Sequence, residues 1–225
     1  MFDKERKNIV EKLFHIRRQK RGATPYWEDF SYNFEDDSAT VATALMELPV
    51  TWEHSCLQKK CGACAMIINK KPRLACDTRL TDLEYEITVE PLRKFPVIED
   101  LVVDRSATMN TLKELSVWFE DEADVKNEDI AFEASRCIQC GLCLEVCPNY
   151  YAGGTFGGMA AMTPMTRIIA KADGEQQNEL RKNYLTGVYK GCGKSLACRN
   201  ICPAGIDIDR LLVKNNAVAV WNRKK

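Results

Sequence analysis

The chain has 225 residues, 45% of them hydrophobic and 28% charged, which suits one or two packed domains and excludes an intrinsically disordered chain. Lys plus Arg equals Asp plus Glu at 32 each, so the surplus of positive charge that marks a nucleic-acid binder is missing and no nucleic-acid partner is expected. The opening stretch MFDKERKNIVEKLF lacks the apolar core and cleavage site of a secretory signal, and no run approaches the about 18 apolar residues of a membrane span. A cytoplasmic chain is expected, soluble or held peripherally to a membrane through partners.

In chain order, residues 1–105 read as strands with one helix. Asn8 to Arg17 and Pro25 to Phe34 are candidate strands joined by the basic turn Arg17-Arg18-Gln19-Lys20-Arg21-Gly22. Asp37 or Ser38 is placed to cap a helix with Val41, Leu45 and Leu48 at helical spacing, ended by Pro49. Ala65 to Ile68, a segment carrying Pro72-Arg73-Leu74, and Leu83 to Val89 are further strands. Two strands, a helix, a loop carrying Cys56, Cys61 and Cys64, and further strands match a ferredoxin-like β-grasp domain.

From Ser106 the pattern turns helical. Ser106 is placed to cap a helix presenting Met109, Leu112, Leu115 and Phe119 on one face. An acidic stretch follows (Glu120, Asp121, Glu122, Asp124, Glu128, Asp129), which reads as a solvated connection. After a turn at Asp173-Gly174, Glu175 to Tyr184 is a polar helix, and Ile208 to Trp221 an amphipathic one. Met159, Met162 and Met165 suit core packing, and Arg223-Lys224-Lys225 a solvated tail. The fold class is α+β: a β-grasp domain over 1–105 and an α-helical ferredoxin domain over 106–225.

Eleven cysteines carry the chemistry. Cys56, Cys61, Cys64 and Cys76 read C-x4-C-x2-C-x11-C, which contains the plant-type [2Fe–2S] spacing. Cys137, Cys140, Cys143 and Cys147 read C-x2-C-x2-C-x3-C-P, the bacterial cubane run. Cys192, Cys198 and Cys202 read C-x5-C-x3-C-P, the same run one ligand short. A disulfide framework fits poorly, because the count is odd, no secretion signal precedes it and the runs are too dense. Structural zinc prefers two separated pairs. Thiolate sulfur is the soft donor that iron–sulfur clusters require.

In two-cluster ferredoxins the fourth cysteine of each run serves the other cluster. That rule assigns Cys137, Cys140, Cys143 and Cys202 to a [4Fe–4S] cluster and Cys147, Cys192 and Cys198 to its neighbour. Aligning the two runs puts Ser195 where the missing cysteine would be. Either the neighbour is [3Fe–4S], or Ser195 gives an oxygen ligand to a [4Fe–4S]; alkoxide is the harder donor, which favours [3Fe–4S]. Gly62, Ala63 and Gly141 supply room beside the sulfurs. His15 and His54 read as ordinary histidines, since all four cysteines of the first group are present and a Rieske-type exchange is not needed. No G-x-G-x-x-G flavin fingerprint occurs, so no substrate-converting site is expected in this chain.

The three groups in this order resemble the iron–sulfur subunit of succinate dehydrogenase and fumarate reductase. Pro25-Tyr26-Trp27, Pro72-Arg73-Leu74-Ala75-Cys76, Asp100-Leu101-Val102-Val103-Asp104-Arg105-Ser106, Cys137-Ile138-Gln139-Cys140-Gly141-Leu142-Cys143 and Cys202-Pro203-Ala204-Gly205-Ile206 carry the resemblance, which spans nearly the whole chain. It implies a relay through [2Fe–2S], [4Fe–4S] and [3Fe–4S] between the FAD of a flavoprotein subunit and a quinone. The β-grasp half would face the flavoprotein, and the helical half a membrane anchor on the cytoplasmic side.

Three features depart from that family. Only Pro49 to Ser55 separate the first helix from Cys56, a short segment that would alter the flavoprotein contact. Lys59 and Lys60 place positive charge beside the first group, which would favour its reduced form. Gly193 stands where ubiquinone-type members have histidine, and Asn149-Tyr150-Tyr151-Ala152 contains no tryptophan, so menaquinone or a non-quinone acceptor is expected. Tyr150 and Tyr151 are candidates to line such a site, with packing the simpler role. Wiring of another flavoenzyme or a thiol-linked reductase is the alternative.

Overall fold

A computed structural model describes residues 9–118, 128–169 and 174–221. Asn8, Phe119, the acidic positions 120–124, Asp173 and the tail Arg223-Lys224-Lys225 lie outside the described residues. The chain divides into two compact units, Met1–Arg93 with Val97–Val103, and Lys94–Pro96 with Asp104–Lys225.

In the first unit β1 (Val10–Arg18) and β2 (Tyr26–Phe34) form an antiparallel hairpin. Along β1, Leu13, His15 and Arg17 are half-buried, while Lys12, Phe14 and Ile16 face the core. Helix α1 (Val41–Glu47) buries Val41, Ala44 and Leu45. Its cap is Thr40, not Asp37 or Ser38: Thr40 and Thr43 form a reciprocal capping box, while Asp36 accepts from the N–H and hydroxyl of Ser38. Strands β3 (Ala65–Ile68) and β4 (Lys71–Leu74) form a second hairpin, and a short 3₁₀ turn, Ala75–Asp77, follows. β5 (Glu86–Glu90) starts later than the alternation from Leu83 suggests, because the carbonyls of Leu83 and Glu84 are taken by the buried Lys12 ammonium. The sheet order is β2-β1-β5-β3-β4, and β1 and β5 run parallel, giving the mixed sheet of a ferredoxin.

A small ladder of β6 (Val97–Glu99) and β7 (Val102–Val103), absent from the sequence expectation, closes the unit. Between them Asp100, buried and left-handed at φ 46°, pins three segments. Its carboxylate accepts from the N–H groups of Gln19 and Thr51 at 3.1 Å each and lies 3.0 Å from Arg18 Nε. Burial pushes the carboxyl upward, but Arg18 and the two N–H donors outweigh it and hold it below the ordinary range.

The second unit is helical among its described residues. Helix α2 (Ser106–Glu114) begins with Ser106 already in its first turn, and Asp104 accepts its N–H at 2.9 Å, so Ser106 is not the cap. Leu115 is buried, but Met109 is exposed and does not share its face. Helices α3 (Glu128–Ser135) and the short α4 (Leu142–Glu145) flank the second cysteine run. Helix α5 (Gly158–Ile169), with Pro164 inside it, buries Met159, Met162 and Met165 in the core. Helices α6 (Gly174–Tyr184) and α7 (Ile208–Asn216) each continue into a π turn, Leu185–Tyr189 and Ala217–Trp221. The buried Tyr184 hydroxyl donates to Asn216 Oδ1 at 2.7 Å, joining the two junctions. Among the described residues no helix is long and apolar enough to cross a membrane.

Candidate iron–sulfur sites

All eleven cysteines are free thiols, and they gather in three places. The first is the loop between α1 and β3. The N–H groups of Gln58 and Lys60 donate to Cys56 Sγ at 3.3 Å, and that of Cys56 to Cys61 Sγ at 3.5 Å. The Lys59 N–H donates to Cys76 Sγ at 3.3 Å, which folds the loop over the 3₁₀ turn. Cys64 Sγ and Cys76 Sγ stand 3.3 Å apart, far beyond the about 2.05 Å of a disulfide. This wrapping requires left-handed backbone at Leu57, Lys59 and Gly62.

The charge environment of this loop is graded. The N–H groups of Gln58 and Lys60 draw the Cys56 thiol down to about 7. Burial pushes Cys64 up to about 12, with Cys76 and Cys61 adding to the rise. Lys59 Nζ lies 2.7 Å from Asp77, so its charge is largely offset beside the site. His15 pairs with Asp29 at 2.6 Å and His54 stacks on Trp52, so neither is aimed at a sulfur.

The second unit holds two cavities. One is lined by Cys137, Cys140, Cys143 and Cys202, with Met159 and Ile206 among its apolar walls. The other is lined by Cys147, Cys192 and Cys198 together with Ser195, Met159 and Leu212. The last cysteine of each run, Cys147 and Cys202, thus lines the other run's cavity, and Ser195 sits beside the three-cysteine set. Met159 is common to both walls.

Local geometry explains how the runs close. Cys137 follows α3, and Gly141, left-handed at φ 83°, starts α4 so that Cys140 and Cys143 stand on either side of the turn. Arg136 donates to the Ala204 carbonyl, and Glu133 accepts the Asp207 N–H at 3.0 Å, so the loop after Cys202 is fastened to α3. Asn149 donates to the Gly191 carbonyl at 2.7 Å, and a Cβ on Gly193 would come within 2.9 Å of the Asn149 amide. The two runs thus approach closely at Asn149 and Gly193. Five of the nine non-glycine residues with positive φ among the described residues (Leu57, Lys59, Gln139, Lys194, Leu196) lie in the cysteine loops, which marks these loops as the strained part of the fold.

Cys137, Cys140, Cys143 and Cys198 are not poised as anions by the protein alone. Burial pushes Cys140 and Cys198 to about 11 and Cys143 well above the usual range, with neighbouring cysteines adding to each rise. Buried sulfurs crowded in this way become thiolates only against a strong local positive charge. The donor set, sulfur around apolar-walled spaces, therefore fits iron–sulfur clusters. Among the described residues no three or more His, Cys, Asp or Glu side chains close on a point that would hold a single metal ion. Tyr150 is buried against Phe95 and so serves packing, while Tyr151 is exposed.

Fold and sites together define a two-domain iron–sulfur protein with a ferredoxin-type sheet and a helical dicluster domain. Residues 12–110 match the family of 2Fe-2S iron-sulfur cluster binding domains, and residues 133–206 the 4Fe-4S dicluster domain. The succinate dehydrogenase iron-sulfur subunit of Bacillus subtilis is 34% identical, over 93% of this chain and 90% of its own length. The fumarate reductase iron-sulfur subunit of Mycobacterium tuberculosis is 33% identical over 76% of this chain and 74% of its own length. An uncharacterized iron-sulfur protein of Methanocaldococcus jannaschii is 33% identical over 77% of this chain but only 36% of its own length. A chain of the Mycobacterium smegmatis Sdh1 complex in the apo form has the same fold, with a TM-score of 0.80 at 22% identity over 96% of this chain and 99% of that one. The chain belongs to the family of succinate dehydrogenase and fumarate reductase iron–sulfur subunits.

Proposed function

We propose that this chain is the electron-relay subunit of a succinate dehydrogenase or fumarate reductase-type complex, passing electrons between the FAD of a flavoprotein subunit and a quinone. Cys56, Cys61, Cys64 and Cys76 hold a [2Fe–2S] cluster. Cys137, Cys140, Cys143 and Cys202 hold a [4Fe–4S] cluster, and Cys147, Cys192 and Cys198 a [3Fe–4S] cluster. The bound clusters supply centres that accept and release single electrons without chemistry at the protein. The chain's own residues bind them, donate N–H groups to their sulfurs and exclude water from the two in the helical unit.

The observation that carries this reading is the pair of adjacent cavities, each lined by cysteines of both runs and sharing Met159 as a wall. The chain would sit peripherally on the cytoplasmic side of a membrane through an anchor subunit. Gly193 stands where ubiquinone-type members of the family have histidine, which favours menaquinone over ubiquinone. Anaerobic purification of the native complex tests the assignment. A co-eluting FAD flavoprotein and membrane chain, with a [3Fe–4S] paramagnetic signal in the oxidised sample, are expected; an oxidised sample without that signal defeats the three-cysteine site.

A second reading is wiring of another flavoenzyme or a thiol-linked reductase. The Methanocaldococcus relative, more than twice the aligned length, favours it by placing similar sequence inside a longer chain. A cysteine-rich partner in place of a flavoprotein would decide for it.

A further inference from the structure

Gln139, in the middle of the Cys137–Cys140 spacing, belongs to no cluster ligand set, yet it is held in left-handed backbone at φ 52°. Its Nε2 lies 3.3 Å from Cys137 Sγ and 3.0 Å from the Ala160 carbonyl. Both partners are acceptors, so the amide nitrogen and not the oxygen must face them. The Oε1 is buried with no hydrogen-bond partner among the described residues. The side chain therefore leaves its acceptor unpaired while placing its donor on sulfur.

The Ala160 carbonyl is available for a physical reason. Within α5 its helical donor would be the N–H of the residue four positions on, which is Pro164 and has none. A proline inside a helix ordinarily leaves that carbonyl unsatisfied; here Gln139 fills the gap. The second amide hydrogen is then aimed at Cys137.

We propose that Gln139 sets the reduction potential of the [4Fe–4S] cluster, held as an N–H donor to Cys137 by the Ala160 carbonyl that Pro164 leaves free. One electron delivered to the site adds one negative charge to the iron and sulfurs, and no bond is made or broken. A donor on sulfur is favourable in both states and more so in the reduced one, so it raises the midpoint. This inference rests on the cluster assignment proposed above.

The test is a redox titration of the intact complex, poised with dithionite and followed by paramagnetic resonance, with iron counted in every sample. Gln139→Met keeps length and removes the donor. It is expected to lower the [4Fe–4S] reduced-to-oxidised ratio at fixed potential about tenfold, or about 59 mV for one electron. Gln139→Glu, which sets an acceptor and a charge against the thiolate, should lower it further. Pro164→Ala restores a competing helical N–H to the Ala160 carbonyl and should lower it less. The other two centres should keep their midpoints in all three variants. An unchanged midpoint in Gln139→Met at full iron content overturns the proposal, and loss of iron from that variant overturns it by making the role structural. A shift in Gln139→Met with none in Pro164→Ala overturns the anchoring by Pro164. Absence of any [4Fe–4S] signal in the unsubstituted complex overturns the underlying cluster assignment instead.

Discussion

The first cysteine site and the two helical ones solve the same problem in opposite ways. At Cys56–Cys76 the chain wraps a local loop whose N–H groups reach the sulfurs directly; they draw Cys56 down to about 7, while burial raises the inner Cys64 to about 12. In the helical unit each set is completed by a cysteine from far along the chain, and burial holds Cys140 and Cys198 near 11. A local site is prearranged by its own backbone. A site closed over long range is held by what binds in it, because crowded buried thiols oppose their own ionisation. Cys137, Cys143, Cys192, Cys198 and Cys202 of the helical unit also pack against its core.

Removing the closing ligand tests this most severely. Cys202→Ser should strip iron from the second site and cost the helical unit about 4–5 kcal/mol or more, the range of a lost metal site. Cys76→Ser should release the [2Fe–2S] iron while the helical unit keeps its melting behaviour. Iron content with thermal unfolding of each variant reads both. Equal loss of helical structure in the two variants would erase the distinction between local and long-range closure.

Spacing made much of this legible, since the cysteine runs, their crossing and the place of Ser195 all follow from aligning one motif on another. Strand pairs with clear alternation, such as Val10–Arg18 against Tyr26–Phe34, were equally open to reading. What stayed hidden depends on partners distant in sequence. The parallel pairing of β1 with β5 is set by the core, not by either strand alone. Thr40 takes the cap from Asp37 or Ser38 because Thr43 completes the box. Pro164 lies inside α5, and the Ala160 carbonyl it leaves without a helical donor accepts from the distant Gln139 Nε2. Glu133 and Arg136 carry no motif signal, and their bonds to the loop after Cys202 exist only once that loop folds onto them. The one sequence signal available for Gln139 was a polar side chain inside a C-x2-C turn.

The next test asks whether the first unit stands on its own scaffold. Asp100→Ala leaves Arg18 and two N–H groups without their acceptor and should cost about 3 kcal/mol at pH 7. Because the folded carboxyl sits below its unfolded value, its contribution is complete above about pH 3.9 and fades as pH falls through the lower folded value. Denaturant unfolding of protein and variant should therefore converge in acid, whereas a constant gap would point to packing alone. In the helical unit the corresponding iron-independent tie is Tyr184 to Asn216. Tyr184→Phe should cost about 1–3 kcal/mol by orphaning a buried amide oxygen. That loss should be seen with iron bound, and a variant of unchanged stability would leave the clusters as the sole hold on this unit.

The smallest effect concerns charge beside the first site. Two lysines precede Cys61, but Lys59 is committed to Asp77 at 2.7 Å, so the field they present is closer to one charge than two. Lys60 is exposed, and an exposed charge is worth under about 1 kcal/mol and is screened within about 3 Å at 1 M salt. Its backbone N–H, which holds Cys56, survives replacement of the side chain. Lys60→Gln should therefore lower the [2Fe–2S] midpoint slightly at low ionic strength and not at all in molar salt. A shift that persists in high salt would mean that the loop itself had moved, and an unchanged midpoint at low salt would assign the whole tuning of this site to its backbone donors.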